Sequence, residues 1–207
     1  MTKRRVKPEH VRREEIMNAA LDVIYEVGLS NTTIAQIAKK AELSTGIVSH
    51  YFGDKQGLIN TCMQEMLNVL RRKTEQYRAE ADSHPESQIK GIIDSNFDIS
   101  QVNEKAMRVW LDFWSASMHV PDLSRLQKIN DQRLYSNLKF YFLKLMDEQQ
   151  ASVAARGLAA LIDGLWLRGS LSRHNEFDSE LARSIAYDYV KTQLQFANKP
   201  LQERQNE

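Results

Sequence analysis

The stretch Thr33-Ile34-Ala35-Gln36-Ile37-Ala38-Lys39-Lys40-Ala41-Glu42-Leu43-Ser44-Thr45-Gly46-Ile47-Val48-Ser49-His50-Tyr51-Phe52 decides the fold. Ile34, Ile37, Ala38 and Ala41 recur at helical spacing and form one apolar stripe along a short helix. Glu42-Leu43 leaves room only for a tight turn. Ser44 offers a hydroxyl cap to a second short helix, whose buried side is expected to be Leu43, Ile47 and Val48. Small Ala38 lets the two helices approach closely. Such a pair, with its second helix in the major groove of duplex DNA, is the helix-turn-helix arrangement.

On that reading the outward face of the second helix carries Thr45, Gly46, Ser49 and His50. Ser49 and His50 suit hydrogen bonds to base edges or phosphates. Gly46 costs helix propensity. Either its missing side chain lets the backbone approach DNA, or it is a packing glycine. Tyr51 and Lys55 suit phosphate oxygens, as do the amides near Thr33. Ser44, at the cap, joins this set of candidate DNA contacts.

Working outward, Ile16, Ala19, Ala20, Val23, Ile24 and Val27 mark an amphipathic helix over 8–28, ended by Gly28. Asn31-Thr32-Thr33 supplies caps for the helix that follows. Gly53-Asp54 ends the reading helix, and Asp54 caps a long helix running to about residue 81. Further helices are expected at 85–97, 101–119, 122–146, 149–172 and 178–197. Pro8, Pro85, Pro121 and Pro200 each sit where a helix can begin. Sustained apolar–polar alternation is absent, so the fold class is all-α.

The chain has 207 residues, and 28 basic against 27 acidic side chains leave a formal charge of +1. That near-neutral sum appears to argue against a nucleic-acid partner, whose readers usually show a basic footprint. The charges are segregated, however. Lys3, Arg4, Arg5, Lys7, Arg12 and Arg13 face only Glu9 within the first 13 residues. Arg4 and Arg5 are candidates for a backbone or minor-groove arm; a solvated tail is the bland alternative.

The single cysteine, Cys62, excludes an internal disulfide and fits a cytoplasmic setting. Beside Met63 and Met66 it reads as a packing residue. No run approaches the roughly 18 apolar residues of a membrane span, and the basic N-terminus lacks the apolar run of a secretory signal. His10, His50, His84, His119 and His174 are scattered, with no zinc-site spacing. Phosphate loops, dinucleotide fingerprints and nucleophile elbows are also missing. No catalytic residue, metal or cofactor is therefore expected. A helical ligand-binding enzyme is the rival class, separable by duplex DNA binding with steep salt dependence.

Three tryptophans lie beyond residue 100. Trp110 and Trp114 are four apart and share a helix face, with Phe113 beside them. Trp166 lies in Leu161-Ile162-Asp163-Gly164-Leu165-Trp166-Leu167-Arg168. These rings are either core or a cage for a cation, held by cation–π attraction of about 0.5–2 kcal/mol per contact. Asp163 or Asp112 would add charge compensation.

Thr33 to Phe52, continued by Gly53-Asp54-Lys55-Gln56-Gly57-Leu58, resembles the DNA-binding segment of the TetR family of bacterial repressors. The resemblance implies an all-helical homodimer that binds double-stranded operator DNA and carries a C-terminal effector module. Asn96-Phe97-Asp98, Trp110-Leu111-Asp112-Phe113-Trp114, Arg133-Leu134-Tyr135-Ser136-Asn137-Leu138 and Gly157 to Arg168 resemble the BetI branch. So does Ser44 to Phe52. That branch implies repression of genes for choline uptake and glycine betaine synthesis, with choline, a small quaternary ammonium, as effector. A relative tuned to another organic cation and controlling an efflux pump is the alternative. The ligand-binding candidates are Phe97, Trp110, Phe113, Trp114, Asn137, Asp163 and Trp166. The domains are expected to be a helix-turn-helix domain over 1–56 and a ligand-sensing and dimerisation domain over 57–207. By the same analogy, the last two helices of each chain build the dimer interface.

Overall fold

The computed structural model describes residues 8–171 and 177–197. The described residues are helical with no strand. In chain order the helices are α1 (Glu9–Val27), α2 (Ile34–Lys40), α3 (Thr45–Phe52), α4 (Lys55–Glu80) and α5 (Pro85–Asn96). They continue with α6 (Ile99–Val102), α7 (Glu104–Ser117), α8 (Pro121–Phe142), α9 (Glu148–Ser170) and α10 (Ser179–Ala197). Pro85 and Pro121 stand at the first position of their helices, and Pro8 directly precedes α1.

Two expected boundaries shift. The helix expected over 101–119 is two helices. Asp98 accepts from the Ser100 amide at 2.9 Å and starts α6, and the Asn103 carboxamide accepts from the Ala106 amide at 2.9 Å near the start of α7. These side chains compete locally for backbone groups and interrupt a continuous ladder. The helix expected over 122–146 ends at Phe142 and leaves a turn before Asp147 caps α9.

The chain divides into two compact units. Unit one comprises residues up to Leu67 together with Arg108–Gln127, and unit two holds Asn68–Met107 and Lys128 onward. The sequence reading placed its boundary after residue 56, two residues into α4. The observed division falls further along α4 and returns part of α7 and α8 to unit one. The cause is a set of distant ties. The Leu29 amide donates to Asp112 Oδ2 at 2.8 Å, the Arg108 guanidinium lies 5.1 Å from the Tyr25 ring centroid, and Asn60 donates to Asp122 at 3.1 Å.

In unit one, α1 buries Ile16, Ala19, Ala20, Val23 and Ile24, and α4 buries Leu58, Ile59, Cys62 and Met63. Burial pushes the Cys62 thiol up to about 12, which suits an inert packing residue. In unit two, polar ties join the helices. Lys73 and Tyr77 of α4 reach Asp98 at 3.4 and 3.1 Å, and Arg183 of α10 donates to the Phe97 carbonyl at 2.9 Å.

Candidate nucleic-acid interface and effector residues

The geometry of α2 and α3 follows from their caps. Thr33 Oγ1 accepts from the Gln36 amide at 3.2 Å, while Gln36 Oε1 accepts from the Thr33 amide at 2.7 Å. This reciprocal capping box engages the Thr33 amide, one of the groups assigned to phosphate. Lys39 and Lys40 occupy the last turn of α2, where cations meet the negative end of the helix dipole. The turn into α3 is closed by the Leu43 amide on the Ala38 carbonyl at 2.9 Å, with Glu42 at φ 55. Ser44 Oγ then accepts from the Ile47 amide at 3.3 Å.

Val48 and Phe52 are one helical turn apart and buried. They orient α3 so that Thr45, Gly46, Ile47, Ser49 and His50 are exposed, while Tyr51 is half-buried. This corrects the placement of Ile47, which is 40% exposed and not part of the buried side. The line through Val48 and Phe52 fixes the core direction, and Ile47 sits about 100° around the helix from it. A β-carbon on Gly46 would meet nothing closer than Ser44 Oγ at 3.9 Å, so packing does not require glycine there. His50 and Tyr51 rings meet edge to face at 5.4 Å. Lys55 Nζ reaches the Ser30 carbonyl at 3.4 Å.

Arg4 and Arg5 lie outside the described residues. Of the other basic residues of that segment, Arg12 pairs with Glu15 at 2.9 Å, and Arg13 donates to the Tyr51 carbonyl at 2.7 Å. The sequence signalled none of the role of Arg13, because its partner lies 38 residues away.

The seven ligand candidates fall into two groups. Trp110, Phe113 and Trp114 belong to unit one. Trp110 and Phe113 are buried with their rings edge to face at 6.4 Å, and Trp114 is half-buried. Asp112, offered as a charge partner, instead receives the Leu29 amide. Helical geometry turns it away from the tryptophan face. Phe97, Asn137, Asp163 and Trp166 belong to unit two. Phe97 is fully buried and stacks on Phe177 at 5.8 Å, and Trp166 Nε1 donates to the Gln101 carbonyl at 3.4 Å. Asn137 is half-buried. Asp163 keeps solvent access, yet desolvation by the surrounding protein and the Asp131 carboxylate push its carboxyl up to about 6. Its exposure argues that solvent screens part of this effect.

Among the described residues no group of three or more side chains is arranged to hold a metal ion. No described helix is long and apolar enough to cross a membrane.

A helix-turn-helix unit joined to a larger helical unit defines a DNA-binding regulator. Comparison with known proteins agrees. Residues 16–62 match the model of the bacterial regulatory proteins of the tetR family, and residues 85–195 match that of the C-terminal region of BetI-type transcriptional repressors. The HTH-type transcriptional regulator BetI of Stenotrophomonas maltophilia is 54% identical over 197 residues, covering 95% of this chain and 99% of that protein. A TetR transcription regulator from Haloarcula marismortui superposes with a TM-score of 0.78 at 24% identity, covering 88% of this chain and 98% of that one. A transcriptional regulator from Saccharomonospora viridis, solved in complex with choline, superposes with a TM-score of 0.73 at 19% identity, covering 88% and 96%. The chain belongs to the TetR family, as a BetI-type transcriptional repressor. It is a regulator and not an enzyme.

Proposed function

We propose that this repressor controls genes of choline uptake and glycine betaine synthesis in the cytoplasm, and that choline is its inducer. The observation that carries the DNA half is α3 itself. A core-anchored helix presents Thr45, Gly46, Ser49 and His50 outward, with no packing reason for the glycine. Small or hydrogen-bonding groups on an exposed helix suit close approach to base edges. Ser44, Tyr51 and Lys55 flank this face as phosphate contacts. Arg4 and Arg5 supply the preceding arm.

A homodimer places two such helices about 34–36 Å apart, or at a related spacing, so the operator is a near-palindrome. Exposed apolar residues on the last two helices support that assembly. Val153 and Leu167 of α9, and Leu181, Ile185 and Phe196 of α10, are all more than a third exposed. A second copy of the same face would remove them from water.

Choline as effector rests on similarity to the BetI relative and on the Saccharomonospora structure with choline. The aromatic face of α7, with Trp110 and Trp114, has the chemistry to hold a quaternary ammonium. Phe97, Phe113, Asn137, Asp163 and Trp166 are the remaining candidates. Intrinsic tryptophan fluorescence titrated with choline tests this directly. Trp110→Ala and Trp114→Ala are expected to weaken choline binding at least about tenfold, the loss of one to two cation–π contacts. Unchanged affinity in both variants removes the aromatic assignment. Response to another organic cation but not to choline redirects the repressor to the efflux alternative.

A further inference from the structure

Helix α3 has eight residues, little more than two turns. A helix so short is held weakly by its own hydrogen bonds, so its pose depends on how its ends are fixed. The N-terminal end has the Ser44 cap. At the C-terminal end, Gly53 adopts φ 76 and its amide returns to the Ser49 carbonyl at 2.8 Å. The last carbonyls of any helix lack partners within it.

Arg13 of α1 supplies one. Its Nη1 donates to the Tyr51 carbonyl at 2.7 Å, and its guanidinium carbon lies 4.5 Å from the centroid of the Phe52 ring. Tyr51 and Phe52 are the final two residues of α3. A cation at this place also meets the negative end of the helix dipole. A planar guanidinium hydrogen-bonds through its edge while its face covers a ring; an ammonium cannot match both. Phe52 in turn is one of the two buried residues that orient α3.

We infer that Arg13 is a positioning residue for DNA recognition: it clamps the C-terminal end of α3 to α1 and spends its charge there, not on a phosphate. The inference rests on α3 being the reading helix. It changes the meaning of the basic N-terminal segment, since at least one of its charges is committed within the fold.

The test uses the full chain and two probes: a duplex enriched from a random pool by the wild-type chain, and poly(dI-dC). Binding is followed by fluorescence anisotropy and competition over a salt series. Arg13→Gln and Arg13→Lys are both expected to weaken the enriched duplex about tenfold, the size of one charge-assisted hydrogen bond. Binding to poly(dI-dC) changes less than about twofold, and the slope of log affinity against log salt is unaltered. A phosphate contact behaves otherwise. Arg13→Gln then lowers the slope by about 0.9 and weakens both probes alike, and Arg13→Lys restores binding. Either that pattern or no change in any quantity overturns the inference.

Should Arg13→Gln not fold, as judged by its thermal melt, Phe52→Leu takes its place. Removing the ring face weakens the enriched duplex about threefold in the wild type and leaves Arg13→Lys unaffected. Additive losses overturn the clamp. Failure of the α3 reading looks different: Thr45→Ala and His50→Ala then leave binding of the enriched duplex unchanged.

Discussion

Replacing Gly28 by alanine separates two sources of stability at the entrance to the helix-turn-helix. Gly28 ends α1 at φ 81 and ψ 155, a region that side chains other than glycine occupy only at a cost of about 1–3 kcal/mol. Space is not the obstacle, because a β-carbon there would lie 3.8 Å from Asp112 Oδ2, an ordinary contact. Alanine also restricts the unfolded chain, which offsets about 0.4–1 kcal/mol of the strain. If the backbone relaxes to relieve strain, the adjacent Leu29 amide rotates off Asp112, now 2.8 Å away, and about 1 kcal/mol more is lost.

The sum is a destabilisation of about 2 kcal/mol. For a chain of this size each kcal/mol lowers Tm by about 2–4 °C, so a drop of roughly 4–8 °C is expected. Circular dichroism melts of the full chain measure it, at one fixed protein concentration because a dimer's Tm depends on concentration. A Gly28→Ala chain that melts at or above the wild-type temperature refutes the reasoning. Neither the positive φ nor the Leu29 tie would then matter to this turn.

Glu42 holds φ 55 in the turn between α2 and α3, so Glu42→Gly is expected to raise stability by about 0.5–1 kcal/mol in the same melts; a loss contradicts the strain. Ile47→Ala should cost under about 1 kcal/mol by urea denaturation, against about 2–5 for a buried isoleucine, and a loss in the upper range would return Ile47 to the core. Asp163 has a folded-state pKa raised from 3.8 to about 6, so the native chain binds the proton more tightly than the unfolded one. Its contribution therefore becomes unfavourable as pH rises from about 4 to 6 and stays so above. Asp163→Asn should be more stable than wild type at pH 7 (about neutral) and lose that advantage near pH 4 (roughly the unfolded carboxyl value). A difference in Tm that does not change with pH rules out the raised carboxyl.

The reading unit was legible because its signals are local. Gly28 ends α1, Thr33 and Ser44 cap α2 and α3, and Asp54 accepts from the Gly57 amide at 2.8 Å at the start of α4. Each signal acts within four residues of its own position. Ile47 was misplaced because hydrophobicity says that a side chain gains from burial, not which way a short helix turns. The break between α6 and α7 hid in Asp98 and Asn103, polar residues that a helix tolerates on its surface but that here cap new helices.

Distant partners left no trace. Arg13 and Tyr51 are 38 residues apart, and Leu29 and Asp112 are 83 apart. Spacing put Trp110 and Trp114 on one helix face, but it could not divide the candidates into the α7 group of unit one and the Phe97, Asn137, Asp163 and Trp166 group of unit two. Asp112 shows the same limit, since its neighbours in sequence are aromatic while its carboxylate serves the α1–α2 turn.

The most direct measurement is operator affinity with and without choline, by fluorescence anisotropy with a duplex enriched by the wild-type chain. A ligand shifts such an equilibrium only by its differential affinity for the two states, commonly 5–150-fold, or about 1–3 kcal/mol. The account predicts that saturating choline weakens operator binding by at least about fivefold, and that operator DNA weakens choline binding by the same factor. Equal operator affinity in the presence and absence of choline would contradict it.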